Sequence, residues 1–489
     1  MVTVPKPMEC PGMTDFQETA PVGWHEILNR DYAAPLVLVC LGVWLHAADS
    51  LLVATMMPNI VSDLGGEAYV AWSIALYEIG SIVAGASGAV LVLKMGIRQP
   101  MFIAAITFAL GCLISAAAFN MPGLLAGRLF QGMGGGGLTA LAFIGTGRLF
   151  PARLIARVMG AISVLWGSSA FLGPLIGGVF TTYFNWRMGF VFFAIQALFL
   201  ATFVLFGSRV SEATDNQDRS KPIPVARLLL LSLGVLFIAY AGIEVTALRT
   251  PVLLACGLGI LATFMVIDGN SPGNRILPKQ LFNPRSPVGA ALLMTFTLNI
   301  STMGLSAYGP LLMVIIHNTP TIVAGYILAC VAIGWSCAAL IVSGAPEKHD
   351  PIYIAVGIAL VCISVIGMIY AVANGPVLLV AALATLEGVG YGTAWTFIVR
   401  RSKRLAAADD VERLSGALPT TGRLGFAVGA SVCGILANYA GFSIDGSADA
   451  ARTVARTIFT GSLPFAFLAM FAMVCFVSMK PKSTHPKQG

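Results

Sequence analysis

Long apolar runs recur along the whole chain and are separated by short polar segments. An α-helix that crosses a bilayer needs about 20 predominantly apolar residues, and most of these runs approach or exceed that length. The pattern therefore predicts fourteen helical segments, of which the seventh and eighth are the shortest. Their bounds are 34–60, 69–93, 101–119, 124–150, 158–184, 188–207, 228–245, 251–267, 288–317, 321–343, 352–373, 376–400, 415–440 and 455–479.

The basic residues are distributed unevenly among the connecting segments. With the amino terminus placed inside, 23 of the 29 Lys and Arg residues fall on the cytoplasmic side, four fall on the opposite side, and Arg128 and Arg423 lie within segments. Cytoplasmic loops of membrane proteins carry an excess of Lys and Arg, so both termini are predicted to be cytoplasmic. The first 33 residues are polar and mixed in charge, and no cleaved signal peptide is expected.

The composition supports a membrane protein and excludes several other classes. Hydrophobic residues make up 57% and charged residues 10% of the chain, whereas a soluble domain carries about 25% charged residues. A solvated enzyme, a disordered chain and a nucleic-acid binder are thereby excluded. The net charge of +7 is explained by basic loops that face anionic lipid head groups. The nine cysteines form no CxxC pair, so we expect no disulfide framework, metal site or cofactor.

A shift of 256 residues superposes part of the chain on itself. Six glycines between 132 and 178 then fall on glycines between 388 and 434, and Arg148 and Arg157 fall on Arg404 and Arg413. Parallel repeats of this kind occur in transporters, and this shift fits two six-helix halves separated by two additional helices. We predict an all-α integral membrane protein with a cytoplasmic tail (1–33), an N-terminal six-helix bundle (34–207), a linker with two extra transmembrane helices (208–287), a C-terminal six-helix bundle (288–479) and a second cytoplasmic tail (480–489).

Ionisable residues lie within the predicted segments, where each needs a partner or a function. Asp49 lies in the middle of the first segment, three residues after His46 and on the same helix face. Glu78, Arg128 and Glu387 lie in the second, fourth and twelfth segments. Removal from water favours a protonated carboxyl group, and a nearby arginine favours the ionised form. A carboxyl group that alternates between these conditions can take up and release a proton, so these five residues are the candidates for proton coupling.

Structural interpretations compete with this one. Asp49 and Arg128 also fit a static ion pair that holds two helices together, His46 fits a packed histidine, and Glu78 fits a protonated hydrogen-bond donor. Glu387 lies where the repeat places the equivalent of Gln131, which also fits a shared packing site.

Aromatic and amide side chains within the segments are candidates for contact with a substrate. Aromatic rings bind amphipathic or cationic ligands by stacking and cation–π contact, although the filling of a helix bundle explains most of them equally well. The candidate substrate-binding residues are Trp44, Tyr77, Gln131, Trp166, Asn299, Tyr308, Trp335 and Trp395.

Two glycine-rich runs favour close packing of helices. The run 132–137 lacks a following Lys-Ser/Thr and lies within a hydrophobic segment, which argues against a phosphate loop. In the fifth segment, Pro174 stands among small residues between Gly167 and Gly178. A helix can bend there, and a neighbouring backbone can come close.

Together these residues resemble the major facilitator superfamily, and specifically its fourteen-helix drug:proton antiporter branch. The resemblance rests on the Asp49 to Pro58 spacing, Trp72-x4-Tyr77, Arg128-x-x-Gln131-Gly132-x-Gly134 (similar to motif B), the run 167–178 (similar to motif C, the antiporter signature) and the loop 275–285. One position departs from the family, because Leu93 stands where a gating aspartate is expected in the loop before the third segment.

The resemblance implies export of small amphipathic or cationic compounds in exchange for protons, by alternating access. It implies that Asp49 accepts the proton, that Arg128 tunes it and that His46 or Glu78 relays it. Residues implied to act in conformational change are Gly96, Arg98, Gly173, Pro174, Gly177 and Gly178.

The implied partners are a small-molecule substrate, protons and membrane lipid, without nucleic acid, for a monomer in a bacterial inner membrane. Alternatives are an exporter dedicated to one metabolite such as a siderophore, and a proton symporter, which motif C disfavours. An intramembrane enzyme that uses His46 and Asp49 is a third alternative, and no catalytic motif in the sequence supports it.

Overall fold

The computed structural model describes residues 24–207, 224–271, 275–278, 280–406 and 408–479, and within these ranges the regular structure is entirely helical. A single turn at Trp24–Ile27 precedes the long helices. We number these α1 (Arg30–Leu64), α2 (Val70–Met95), α3 (Arg98–Ala116), α4 (Met121–Leu149), α5 (Ala152–Tyr183), α6 (Trp186–Thr202), α7 (Val225–Tyr240), α8 (Arg249–Gly269), α9 (Pro287–His317), α10 (Thr321–Val342), α11 (Asp350–Asn374), α12 (Val377–Leu405), α13 (Ala408–Tyr439) and α14 (Ala448–Ser478).

Twelve helices in the described part of the chain are long and apolar enough to cross a membrane. The others among the numbered helices are the glycine-rich α4 and the short α7, whose 16 residues extend about 24 Å at a rise of 1.5 Å per residue. Each of the fourteen predicted segments coincides with one helix, but the ends differ. For example, α14 begins at Ala448 rather than 455, because its first two turns contain polar residues that the apolar pattern does not include.

Side-chain caps explain where several helices begin. The side chain of Asn120 accepts a hydrogen bond from the Gly123 backbone N–H, and Ser286 and Ser447 cap α9 and α14 in the same way. Each cap satisfies a backbone N–H that has no partner within its helix. At the other end, α2 stops at Gly96, which has a φ of 73°, a conformation that glycine adopts at little cost.

The helices contact one another mainly within two groups. Helices α1–α6 pack among themselves, as do α9–α14, while α7 and α8 pack against each other and α7 contacts α2 and α13. The contacts between the two groups run chiefly from α2 to α13 and from α5 to α10, with further contacts of α1 to α9 and α10. Relative motion of the two groups would therefore change the contacts that these six helices make with one another.

Glycines allow equivalent helices in the two groups to approach closely. A Cβ atom on Gly132 of α4 would lie 2.0 Å from the Tyr77 carbonyl oxygen of α2, and one on Gly388 of α12 would lie 1.9 Å from the Val331 carbonyl oxygen of α10. Gly132 and Gly388 are related by the shift of 256 residues. The sequence repeat thus corresponds to the same helix packing, in which only glycine leaves room for the neighbouring backbone.

One set of polar contacts between the groups lies at the end of the molecule that bears residues 65–69, which we call the 65–69 end. The Asn438 amide donates to the carbonyl oxygens of Ala68 and Gly242, at 3.0 and 2.6 Å. A Glu67 carboxylate oxygen accepts from the Ile444 backbone N–H at 2.6 Å. The two groups are thus joined at this end.

Candidate functional site

Asp49 and Arg128 form an ion pair in the interior of the N-terminal group. Arg128 Nη1 lies 2.6 Å from Asp49 Oδ2, and the Asp49 side chain is fully buried. Gln131 Nε2 donates to Asp49 Oδ1 at 3.2 Å, while Gln131 Oε1 accepts from Arg128 Nη1 at 3.1 Å. Arg128 Nε also donates to the Ser73 carbonyl oxygen at 3.4 Å. Both carboxylate oxygens therefore have partners, which is the arrangement that a buried charge requires.

The sequence explains how α4 supplies both partners. Arg128 and Gln131 are three residues apart and so share a helix face. A Cβ atom on Gly111 of α3 would lie 2.4 Å from the Gln131 backbone nitrogen, so glycine at this position lets α3 pack directly against α4 beside Gln131.

Tyr77 and His46 extend this network away from Asp49. The Arg128 guanidinium lies over the Tyr77 ring at 4.3 Å from its centroid, a cation–π contact. The Tyr77 hydroxyl lies 2.7 Å from His46 Nδ1, and the two rings stack. Trp166 of α5 approaches the His46 ring edge-on at 6.1 Å between centroids. Four of the five proton-coupling candidates, all except Glu387, therefore lie in one region together with Tyr77 and Gln131.

Arg423 of α13 joins this network from the other helix group. Its Nη1 lies 3.2 Å from Glu78 Oε2 and 2.6 Å from Ser81 Oγ on α2, and its Nη2 lies 3.1 Å from His46 Nε2 on α1. The sequence shows that Arg423 lies within a hydrophobic segment, but it does not reveal its partners. The repeat offers no signal either, because the shift of 256 residues places Gly167 at the equivalent position.

A cavity of about 210 Å³ lies beside the network, between the two groups. Its polar lining includes Ser73, Tyr77, Glu78 and Arg128, and the remainder is mostly apolar side chains of α1, α2, α9, α10 and α13. The lining residues are Ser50, Leu51, Val53, Ala54, Met57, Val70, Ser73, Ile74, Tyr77, Glu78, Arg128, Met303, Ser306, Ala307, Leu328 and Phe426. The cavity thus combines an apolar wall with one carboxylate and one guanidinium.

A second cluster of candidates lies within the C-terminal group. Tyr391 donates to Asn299 Oδ1 at 2.8 Å, and the Trp335 ring stacks on Tyr391 at 5.2 Å with an interplanar angle of 7°. Trp395 contacts Trp335 at 6.2 Å between centroids. Glu387 is buried one helical turn before Tyr391. These four candidates are close to one another but do not line the cavity described above.

The remaining substrate-binding candidates have separate surroundings. Trp44 Nε1 donates to Gln196 Oε1 of α6 at 2.9 Å, so it joins two helices of the N-terminal group. Tyr308 is fully buried edge-on against Phe442. Trp166 is 40% exposed. Among the eight substrate-binding candidates, only Tyr77 is in the lining of this cavity.

The small residues of α5 form the contact with α1 and α10. A Cβ atom on Gly173 would lie 2.9 Å from Leu51 Cβ, and one on Gly177 would lie 3.1 Å from the carbonyl oxygen of the next residue of α1. Pro174 lies beside Gly325 of α10, and a Cβ atom on Gly178 would lie 2.7 Å from Ile322 Cβ of the same helix. The motif thus lies between the two groups.

At the opposite end of α2, charged groups join neighbouring elements. Arg98 Nε, just after Gly96, donates to the Val204 carbonyl oxygen at 2.9 Å. In the repeat of 256 residues, Asp350 occupies the position equivalent to Lys94, the residue after Leu93. Asp350 is fully buried and pairs with Arg400 of α12. An aspartate–arginine pair is therefore present at this end of the C-terminal group, although Leu93 replaces the expected aspartate in the N-terminal group.

Within the described ranges, no group of three or more His, Cys, Asp or Glu side chains is arranged to hold a metal ion. The chemistry that this site can perform with its own groups is the binding and release of protons and of charged ligands, since carboxylate, imidazole and guanidinium groups supply its polar surface.

Comparison with known proteins identifies similar transporters. The profile of the Major Facilitator Superfamily matches residues 39–398. A probable multidrug-efflux transporter of Mycobacterium tuberculosis is 28% identical over 433 residues, which cover 85% of this chain and 90% of that protein. A transporter of the acurin A biosynthesis cluster of Aspergillus aculeatus is 29% identical over 318 residues, 61% of this chain and 57% of that protein.

Solved structures share the fold at low sequence identity. A bacterial homologue of the human lysosomal transporter Spinster, in an inward-facing and unoccupied conformation, has a TM-score of 0.63 at 13% identity. The alignment covers 92% of this chain and 97% of that one. A peptide transporter in complex with sulfate has a TM-score of 0.65, also at 13% identity, over 89% and 93% of the two chains.

Proposed function

This chain belongs to the Major Facilitator Superfamily, and from that premise we propose that it is a proton-coupled antiporter that exports small amphipathic or cationic compounds by alternating access. It is a multi-pass membrane transporter with homology to multidrug-efflux transporters. The finer proposal assigns it to the fourteen-helix drug:proton branch, with bundles at 34–207 and 288–479 and an insert at 208–287.

The observation that carries the proposal is the buried Asp49–Arg128 pair beside the cavity. A carboxylate within the membrane is costly unless it is paired. Protonation of Asp49 neutralises it and weakens its attraction for Arg128, whose guanidinium keeps Gln131 Oε1 and the Ser73 carbonyl oxygen as acceptors. The two protonation states therefore differ in how firmly α1 and α4 are held together, and this difference gives a proton gradient its effect on conformation.

The cavity supplies the proposed substrate site. An apolar wall with Glu78 in the lining suits a compound that has an apolar body and a positive charge, provided that this charge replaces Arg423 as the partner of Glu78. Its volume of about 210 Å³ is below the ~300–1,000 Å³ of sites that enclose drug-sized ligands, so substrate entry requires the helix groups to move apart. Glu387, with Asn299, Trp335 and Trp395, is proposed to join the substrate path from the C-terminal group.

The proposed setting is a bacterial inner membrane with both termini cytoplasmic, as the positive-inside distribution indicates. The partners are protons, the exported compound and surrounding lipid, and the working unit is a monomer. No cofactor and no catalysed reaction are included in the proposal.

The test is transport by the purified protein in liposomes under an imposed pH gradient, with ethidium as a cationic probe and a siderophore as a metabolite probe. We expect ethidium to move against its gradient as protons move in the opposite direction. Movement of ethidium and protons in the same direction would refute antiport and indicate a symporter.

An exporter dedicated to one natural metabolite is the second candidate function, because a relative belongs to the acurin A biosynthesis cluster. A siderophore transported with strict preference over ethidium and other amphipathic cations would favour this candidate.

A further inference from the structure

One ion pair joins the two helix groups among the residues that the structure describes. It links Glu78 of α2 to Arg423 of α13 at 3.2 Å. The ion pair of Asp49 with Arg128 lies within the N-terminal group, and that of Asp350 with Arg400 lies within the C-terminal group. Relative motion of the groups therefore has to stretch or break the Glu78–Arg423 pair.

Arg423 also fixes the hydrogen-bonding role of His46. A guanidinium donates hydrogen bonds and cannot accept them, so His46 Nε2, at 3.1 Å from Arg423 Nη2, must accept. The ring hydrogen then lies on Nδ1 and points to the Tyr77 hydroxyl oxygen at 2.7 Å. His46 is therefore neutral in this arrangement, and a second ring proton would set an N–H group against the N–H group of Arg423.

The charges around this contact are balanced. Asp49 of α1 and Arg128 of α4 form one pair, Glu78 and Arg423 form the other, and Tyr77 lies between them. From α5, the neutral Trp166 packs against the imidazole ring. From α9, the side chains that face α13 include Asn299, which does not titrate and donates a hydrogen bond to the Gly422 carbonyl oxygen. A proton on Glu78 therefore leaves Arg423 without its charged partner, and a proton on His46 adds a positive charge beside Arg423.

We propose that Arg423 is the positioning residue through which proton binding controls the separation of the two helix groups. A proton from water binds Glu78 Oε2 or His46 Nε2 and removes one of the bonds that hold α13 against α1 and α2, and its return to water on the other side restores that bond. The inference rests on the proposed proton coupling, and it assigns the mechanical link to a residue of the opposite group.

The polar contacts at the 65–69 end do not have this property. The Asn438 amide donates to backbone carbonyl oxygens and does not titrate. Glu67 accepts from the Ile444 backbone N–H and the Ser443 hydroxyl, and a glutamine at that position keeps an oxygen acceptor. Glu67→Gln is therefore a matched control, because it neutralises a glutamate that crosses between the groups without breaking an ion pair.

The test is hydrogen–deuterium exchange of the purified full-length protein at constant pH. In Glu78→Gln and Arg423→Gln, we expect exchange in peptides covering 59–70, 321–326 and 438–445 to rise about fivefold, as looser local closure predicts. We expect Glu67→Gln to match the unsubstituted protein. Unchanged exchange in both test variants, or an equal rise in the control, would overturn the proposal.

A second measurement applies if a variant fails to fold. The unsubstituted protein should show the same rise when the pH is lowered from about 8 to about 5.5, because burial favours the protonated form of a carboxyl group, after correction for the intrinsic exchange chemistry. A pattern that does not change with pH would refute the link.

Transport distinguishes the two hypotheses. If ethidium export remains proton-driven in Arg423→Gln, the link is wrong and antiport stands. If the unsubstituted protein exports without proton exchange while the exchange pattern still responds to pH, antiport is wrong and the link stands.

Discussion

Replacement of Asp49 by asparagine tests the central ion pair while keeping its shape. Removing one partner of a buried ion pair costs roughly 3–5 kcal/mol. An asparagine oxygen can still accept from Arg128, and a hydrogen bond to a charged group contributes about 1.5–3 kcal/mol, so the net loss of stability is about 2 kcal/mol. Gln131 Oε1, at 3.1 Å from the same guanidinium nitrogen, limits the loss further. We therefore expect Asp49→Asn to fold and Asp49→Ala to be less stable in thermal unfolding.

The transport deficit of Asp49→Asn can be estimated from the gradient itself. A difference of one pH unit corresponds to about 1.4 kcal/mol per proton exchanged, and thus to about a tenfold concentration ratio of substrate. Asparagine does not titrate in this range. The proton that Asp49 carries should therefore no longer contribute its tenfold share to the concentration ratio of substrate. Exchange of labelled for unlabelled ethidium without a gradient should continue, because it needs no proton.

The assay compares ethidium accumulation in proteoliposomes at an imposed difference of one pH unit. Asp63→Asn is the matched control, since Asp63 lies on the same helix, pairs with Arg187 at 2.5 Å and is half exposed at the 65–69 end. The control should keep full accumulation. If Asp49→Asn accumulates ethidium as the unsubstituted protein does, Asp49 is not the proton carrier and the reasoning is refuted.

Three further results are expected from the packing. Gly132→Ala should lower the thermal stability by at least about 1–3 kcal/mol, because its Cβ would overlap a carbonyl oxygen of α2, whereas Gly147→Ala, which has open space, should be neutral in the same unfolding assay. Asp268→Ala should cost about 3–5 kcal/mol, since the buried Asp268 pairs with an arginine of α7 and accepts from two backbone N–H groups; the more exposed Glu244→Gln should change the melting temperature little. Asn438→Ala should speed amide exchange at 65–70 and around Gly242, where one hydrogen bond each is lost, and unchanged exchange at both places would contradict the assigned contacts.

Part of the candidate site follows directly from the sequence. Asp49 and Arg128 can be recognised because charged residues are rare within apolar segments and need partners. Gln131 follows because a spacing of three residues places it on the face of Arg128. That these side chains share one region is consistent with those local rules, whereas their roles in transport remain predictions.

The surroundings of the other aromatic candidates could not be predicted from the sequence pattern. Tyr308 and Trp44 lie within apolar segments just as Tyr77 does, yet Tyr308 packs against Phe442 and Trp44 bonds to Gln196. Depth in the membrane can be counted along the sequence. The direction in which a side chain points within the bundle depends on which helices surround it, and the sequence pattern does not contain this information when every side of a helix is apolar.

The sequence alone determined that the chain crosses a membrane repeatedly, where its helices lie and which ionisable residues fall inside them, because hydrophobicity, capping residues and charge are local properties. The tertiary structure decided that Arg423 pairs with Glu78 and bonds to His46, residues 345 and 377 positions away. Such a contact depends on how the two groups of helices pack together. The free energy of that packing is the sum of many apolar and glycine contacts, and no single segment of the sequence determines it.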